Sequence, residues 1–279
     1  MLNKKKHHRP FLKWAGNKFR CLNHIIQHFP EGKRLIEPFA GSGAIFLNTE
    51  FEENILGEHN PYLVHLYQFL QTEGDDFIEY CQSLFVPENN QKQRYYELRT
   101  LFNESQDLRL KAALFLYLNR HGFNGLCRFN LKGIYNVPFG SYQSPYFPRN
   151  EMLTFAKRAQ KAEFIHSSYQ DTFQKAKVGD VIYCDPPYYP LSKTASFTSY
   201  TNQAFKDSDQ IHLVDLAIEA TKKGVHVLIS NHDTPFIRKH YEKAQVIHQF
   251  KVPRTISSKG NKRQAVTEVL AYFGPREGF

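Results

Sequence analysis

The run Val181-Ile-Tyr-Cys-Asp185-Pro186-Pro187-Tyr188 joins an apolar stretch to an acid, two prolines and an aromatic ring. Val181–Cys184 reads as a strand, and open α/β sheets place ligands beyond the carboxyl ends of their strands. The prolines remove two backbone donors and keep the chain extended. Carbonyls and the Asp185 carboxylate then face a cavity as acceptors beside the Tyr188 ring. This set suits a planar group bearing an NH2, whose two hydrogens go to the acid and a carbonyl while the ring stacks. The alternative is a strand-ending turn in which Asp185 caps a helix and Tyr188 fills space.

A second set is Glu37-Pro38-Phe39-Ala40-Gly41-Ser42-Gly43, with Glu58 at the tip of the next strand. A glycine turn after strand one and an acid ending strand two can hold a nucleoside through its ribose hydroxyls. The glycines are expected to turn sharply and leave amides free at a helix start. A simple tight turn is the alternative. Cys21, Cys81, Cys127 and Cys184 lie far apart with no ligand-like spacing, so neither a zinc site nor a disulfide framework is indicated. His24 and His28 are four apart, but no further ligand completes a metal site, and they read as surface histidines of a helix.

The elements that must position these residues alternate. A helix (about Asn17 to His28), a strand (Arg34 to Pro38), the glycine loop, a helix (Ala44 to Glu50) and a strand (Asn54 to Glu58) come first. Four helical stretches follow without a strand: Pro61–Leu70, Asp75–Phe85, Gln91–Asn103 and Leu108–Arg120. The run Lys111–Leu118 is apolar nearly all round and should be buried. From His121 to Asn150 the chain is rich in Gly, Asn, Pro, aromatic and basic residues, a loop whose length suggests function and whose aromatics argue against disorder. Strands resume at Glu163–His166, Val181–Cys184 and Val225–Ser230, with an amphipathic helix at Asp207–Lys222. Gln245–Val252 and Ala265–Phe273 alternate and should pair antiparallel at a sheet edge. The fold class expected is α/β, a doubly wound sheet with one inserted, mainly helical lobe.

Of the 279 residues, 36 are Lys or Arg and 27 Asp or Glu, a net charge of +9 that favours a polyanionic partner. No apolar run approaches the roughly 20 residues that span a bilayer, so no membrane partner is expected. The basic start, Met1 to Arg9, lacks the apolar stretch of a secretory signal and reads as a tail. Lys251, Arg254, Lys259, Lys262 and Arg263, around Ser257-Ser258-Lys259-Gly260-Asn261, form a second basic stretch, either embracing phosphates or a solvated hairpin. A cytoplasmic protein, monomeric in solution, is the expectation.

Taken together, the motifs resemble the Dam-type family of DNA adenine methyltransferases over nearly the whole chain. The resemblance rests on Phe11-Leu-Lys-Trp-Ala-Gly-Asn-Lys18, the Phe39–Gly43 loop and Tyr117-Leu-Asn-Arg-His-Gly-Phe-Asn-Gly-Leu-Cys-Arg128. Phe139-Gly140, Cys184–Tyr188 and Ile229-Ser-Asn-His232 complete it. It implies a Rossmann-like methyltransferase sheet with a DNA-recognition insertion. It also implies S-adenosyl-L-methionine as donor and adenine N6 within GATC of double-stranded DNA as target. By the same resemblance, Trp14, Ala15, Gly16, Lys18, Phe39, Gly41, Ser42, Gly43, Glu58 and Asp185 bind the cofactor. Asp185, Pro186, Pro187 and Tyr188 form the catalytic adenine pocket. Lys13, Phe123, Asn124, Leu126, Arg128, Pro138 and Tyr142 read DNA. The implied division is a catalytic domain of residues 1–60 and 149–279 with a target-recognition insertion of 61–148.

The insertion fits DNA on its own chemistry. Arg128 can pair bidentately with guanine, Asn124 offers an amide, and Phe123 and Leu126 could wedge into an opened base step. Three positions depart from the family pattern: Glu58 where Asp is more frequent, Ser141 where Arg is common, and Asn17 for a usual glycine. Cytosine N4 methylation uses the same amine chemistry and is not excluded by the acid–proline–proline–tyrosine run alone. A DNA-binding regulator without catalysis is a different class, disfavoured by the intact Asp185 and glycine loop. RNA or protein-amide methylation fits Phe123–Arg128 less well. No metal is expected.

Overall fold

The structure, a computed structural model, describes residues 7–191, 205–252 and 265–275. Arg254 to Arg263 of the second basic stretch and Met1 to Lys6 of the basic tail lie outside the described residues. The strands are β1 (Arg34–Glu37), β2 (Glu53–Glu58), β3 (Ala162–His166), β4 (Val181–Cys184), β5 (His226–His232), β6 (Val246–Val252) and β7 (Val266–Phe273). The helices are α1 (Leu22–Ile26), α2 (Pro61–Thr72), α3 (Asp75–Gln82), α4 (Lys92–Glu104), α5 (Leu108–His121), α6 (Arg149–Ala159), α7 (Tyr169–Gln174), α8 (Asp207–Lys222) and α9 (Pro235–His240). Short 3-10 turns stand at Lys18–Arg20, Phe46–Asn48, Pro87–Asn89 and Phe123–Gly125.

Two compact units result. The second comprises Arg20–Ala40, Glu50–Gly57 and Ser167–Phe279, and its strands run in the order β2-β1-β4-β5-β7-β6. β1 pairs parallel with β2 on one side (Ile36 opposite Ile55) and with β4 on the other (Ile36 opposite Ile182). β4 pairs parallel with β5. Residues 181–184 and 227–231 are buried without a break, as expected of central parallel strands covered on both faces. α8 turns Gln210, Leu213, Val214, Ala217 and Ala220 inward at helical spacing. Gly57 has no room for a side chain, because a Cβ there would lie 2.2 Å from Thr172 Oγ1 of α7. β7 runs antiparallel to β5 and β6, the edge pair expected from alternation.

At the amino end of this sheet Arg34 grips Asp180. Nη2 lies 2.6 Å from Oδ2 and Nε 3.1 Å from Oδ1, with only 14% and 7% of the two side chains exposed. Asp180 Oδ2 also accepts the Lys177 amide at 2.7 Å. The pair fixes where β4 begins beside β1.

The first unit comprises Met1–Phe19, Gly41–Thr49 and Glu58–His166. Asn60 caps α2 by accepting from the Tyr62 amide at 3.0 Å, with Pro61 in the first turn. Phe11, Phe46, Tyr67, Phe155 and Phe164 form an aromatic core, with Tyr67 and Phe155 centroids 4.5 Å apart. α5 is buried from Lys111 to Leu118, as its composition requires. The segment after it has fold-determining anchors although little of it is regular. Asn103 accepts from the Tyr135 amide (2.9 Å) and donates to its carbonyl (3.1 Å), and Tyr95 and Arg99 both donate to Val137 O at 3.0 Å.

Three expectations change. The helix expected over Asn17 to His28 is split, because Asn17 Oδ1 accepts the Phe19 amide at 2.7 Å and Cys21 leaves helical geometry before α1. The helix expected over Ala44 to Glu50 is only the turn Phe46–Asn48. Asn48 and Thr49 donate back to Ala44 O (2.8 Å) and Ile45 O (3.0 Å), and Thr49 is extended. The loop ends at α6, which was not read from the sequence although Met152, Phe155, Ala156 and Ala159 lie buried on one face.

Replacing Asp180 by Ala should cost about 3 kcal/mol of stability, because the half-buried Arg34 guanidinium loses its counter-charge. Equilibrium urea unfolding measures this, and a loss below about 0.5 kcal/mol would mean that the pair contributes no more than an exposed ion pair.

Candidate active site

In the second unit the strand order reverses between β1 and β4, and open α/β sheets bind ligands beyond the carboxyl ends of the strands at such a point. β1 ends in Glu37, buried to 2% exposure, followed by Pro38 and Phe39. The Phe39 ring stacks on Tyr169 of α7 with centroids 5.4 Å apart and meets Phe205 edge-on at 5.7 Å. β4 ends in Asp185, Pro186, Pro187 and Tyr188. Among the described residues no helix starts at Asp185, so the capping alternative falls.

Tyr188 is held at two places. Its hydroxyl donates to Glu268 Oε2 on β7 (3.1 Å), and its ring lies at 77° to that of His232 on β5, centroids 4.9 Å apart. Burial, with Asp185 and Glu268 nearby, pushes the phenol well above its ordinary pKa, so it stays neutral and donates. One residue inside the strand, the Tyr183 hydroxyl shares a buried hydrogen bond with Ser230 Oγ (2.8 Å). The Cys184 thiol is likewise raised by burial and by the Asp185 and Glu37 carboxylates, so it is no nucleophile. His24 and His28 stack on Phe250 and His248, and no metal-ligating cluster occurs among the described residues.

In the first unit the glycine turn is braced rather than left open. Gly41 and Gly43 have φ of 48° and 67°, a region that side chains disfavour. The Gly41 amide donates to Glu58 Oε2 (3.1 Å), and its carbonyl accepts from the Tyr67 hydroxyl. The expectation of free amides is therefore corrected at Gly41. Glu58 Oε1 accepts the Asn60 amide at 3.0 Å. Burial raises the Glu58 pKa, and the backbone donors at Asn60, Gly41 and His59 oppose it. A carboxylate offers about four acceptor sites, so two amides leave capacity for hydroxyls. Ser42 and Gly43 are buried.

The first motif lies in the same unit. Lys18 is buried and donates to Gly16 O at 2.6 Å, closing a turn in which Trp14 is half-buried and Ala15 and Gly16 are exposed. Lys13 is locked to the end of α5: its amide donates to Asn119 Oδ1 (3.0 Å), while Asn119 Nδ2 donates to Lys13 O (2.7 Å) and Gly125 O (3.1 Å). Its ammonium sits 3.9 Å from the Tyr142 ring centroid, with its pKa lowered by burial and by Arg120. Of the expected DNA-reading residues, Lys13 and Tyr142 thus meet directly. Phe123 and Asn124 are exposed, Asn124 with φ 55°, and the Phe123 amide donates to Pro138 O (2.8 Å). Leu126 is half-buried. Arg128 is exposed and oriented by Asn136, through Nε to Oδ1 (2.7 Å) and Nη2 to O (3.1 Å). Ser141 is exposed with φ 54°.

Sequence reasoning missed Tyr169, Glu268 and Gln210. The signal for Tyr169 was present, an aromatic shortly after β3; the other two touch the corner only through the fold.

A model of the D12 class of N6 adenine-specific DNA methyltransferases matches residues 14–256. The chain belongs to this family, which decides for adenine over cytosine. The DNA adenine methylase of Vibrio cholerae serotype O1 is 50% identical over 271 residues, 97% of this chain and 98% of its own. That of Escherichia coli strain K12 is 48% identical over 270 residues, 97% of each chain. That of Serratia marcescens is 46% identical, covering 96% of this chain and 99% of its own.

Gly125 has φ 63°, and a Cβ there would lie 2.4 Å from Lys13 Cβ. Gly125→Ala should therefore cost about 1–3 kcal/mol and displace the Lys13 segment. Thermal unfolding reports the loss; a variant as stable as wild type would show that the segment yields freely.

Proposed function

We propose that the chain transfers the methyl group of S-adenosyl-L-methionine to N6 of an adenine flipped out of double-stranded DNA, within GATC. Family membership fixes the adenine target, and the acid–proline–proline–tyrosine corner at the carboxyl end of β4 is the observation that carries the reading. The donor set suits a nucleoside: Glu58 is a partly buried carboxylate beside a turn of positive-φ glycines, and Phe39 after β1 stacks on Tyr169 of α7. In the first unit Trp14, Ala15, Gly16, Lys18, Gly41, Ser42, Gly43 and Glu58 would bind the donor. In the second, Phe39 and Asp185 would do so. Bound there, the donor supplies an electrophilic methyl on a sulfonium.

The chain's own residues act on the adenine. Flipping costs a few kcal/mol, and stacking on Tyr188 returns roughly 1–3 kcal/mol. The Asp185 carboxylate and the Pro186 carbonyl accept the two amine hydrogens. The nitrogen lone pair, otherwise delocalised into the ring, is thereby freed for in-line attack. The new N–C bond would form as the C–S bond breaks with its electron pair left on sulfur, and the proton displaced from the amine would leave through the Asp185 carboxylate that holds it, and so to solvent. No covalent bond to the protein forms, and positioning and electrostatics supply most of the acceleration. Residues 1–60 and 149–279 serve catalysis and 61–148 recognition; Phe123, Asn124, Leu126, Arg128, Pro138 and Tyr142 of the latter, with Lys13 of the former, contact DNA as a single chain binds it.

Plasmid DNA treated with the purified chain and donor should become resistant to a nuclease blocked by N6-methyladenine at GATC. Asp185→Ala should abolish this while its circular dichroism stays native; near wild-type turnover would remove Asp185 from the mechanism.

Because burial holds the Glu58 pKa above the ordinary glutamate value, acidification protonates it earlier than a free glutamate. Donor affinity, measured by calorimetry, should fall as pH drops through that raised value. Glu58→Gln should bind more weakly at neutral pH and lose this pH dependence. A wild-type affinity independent of pH in the acidic range would exclude Glu58 as the ribose acceptor.

A further inference from the structure

The reactive corner is held from behind by two buried side-chain amides. Gln210, in the first turns of α8 and 2% exposed, donates through Nε2 to Pro187 O at 2.8 Å. Its Oε1 accepts from Asn231 Nδ2 on β5 at 3.0 Å. Asn231, fully buried, also donates to the Tyr241 hydroxyl (3.2 Å), and its Oδ1 accepts the amides of Tyr189 (2.9 Å) and His232 (2.9 Å).

The chemistry at each end fixes the polarity of this chain of bonds. A proline carbonyl only accepts and a backbone amide only donates, so each side-chain amide has one workable orientation. The Gln210 NH2 must face Pro187, its oxygen must face Asn231, and the Asn231 oxygen must face Tyr189. Buried polar chains of this kind hold geometry because breaking any one bond strands a desolvated partner.

We infer that Gln210 is a positioning residue for methyl transfer: by occupying the Pro187 carbonyl it sets the plane of the Pro187–Tyr188 peptide, and so anchors the chain directly after the Pro186 carbonyl and Asp185 as they present themselves to the target amine. The inference rests on the transfer reading above. The Gln210 side chain spends its bonds on Pro187 and Asn231 and not on the groups proposed to contact base or donor, so its loss should act on kcat rather than on KM for DNA. A misplacement on the scale of an ångström can cost roughly 100-fold in rate.

Gln210→Glu separates this role from general packing. A carboxylate cannot donate to Pro187 O, whereas the protonated acid both donates there and accepts from Asn231. The variant should lose roughly 10–100-fold in kcat at about pH 8.5, with KM for DNA within about twofold, and should recover toward about pH 6 relative to wild type. Gln210→Met keeps the volume without either bond, and should lose kcat alike at every pH. A Gln210→Glu enzyme matching wild type at both pH values, a deficit confined to KM, or a Met variant with wild-type kcat overturns the inference. Should the Glu variant not fold, the Met variant decides alone. Wild type run in parallel keeps the two readings apart, since an idle wild-type chain would overturn transfer itself and the inference with it.

Discussion

The parallel pairing of β1 with β4 is the constraint on which the second unit depends. The strand order reverses between them, and in open α/β sheets it is beyond the carboxyl ends of such a pair that ligands bind. With Ile36 opposite Ile182, the residues that follow, Phe39 and Asp185, leave the sheet at neighbouring heights. A register shift of one residue would exchange the faces to which the side chains of β4 point and move Asp185 out of step with Phe39. Arg34 and Asp180, at the other end of the same two strands, make that shift costly.

The two acidic sites solve different problems. Glu58 spends both oxygens on backbone amides and so stiffens the glycine turn from which it would also receive a ligand. Asp185 follows a strand beyond which Tyr188 is braced by His232 on the adjacent β5 and by Glu268 on β7, one strand further out. Loop amides thus restrain Glu58, and side chains on β5 and β7 restrain Tyr188, which reduces the rearrangement left for the reaction.

Much of this was legible in the residues themselves. Continuous apolar runs marked β4 and β5, alternation marked the β6–β7 pair, and α5 announced its burial by having no polar face. The spacing that would have given α6 was also present, but the Gly- and Pro-rich segment before it masked the start. The short turn at Phe46–Asn48 was not legible, since it depends on Asn48 and Thr49 turning back onto local carbonyls instead of extending the helix. Nor was Gln210 legible: an amide on a helix face reads as solvent-exposed until the fold brings Pro187, 23 residues earlier, against it. Side-chain pairs fixed by topology carry no local pattern. Asn17 is intermediate, a departure from the family pattern whose side chain ends up capping the turn that follows.

The state of the thiols has a practical side. Cys21, Cys81 and Cys184 are buried, and burial pushes Cys127 up to about 12. Thiolate, the species that electrophiles and peroxide attack, is therefore scarce at neutral pH even beside the reactive corner. The enzyme should tolerate storage without reductant. A single cysteine placed on an exposed loop would take a maleimide dye ahead of all four native ones, making the unaltered framework a ready host for distance measurements by fluorescence.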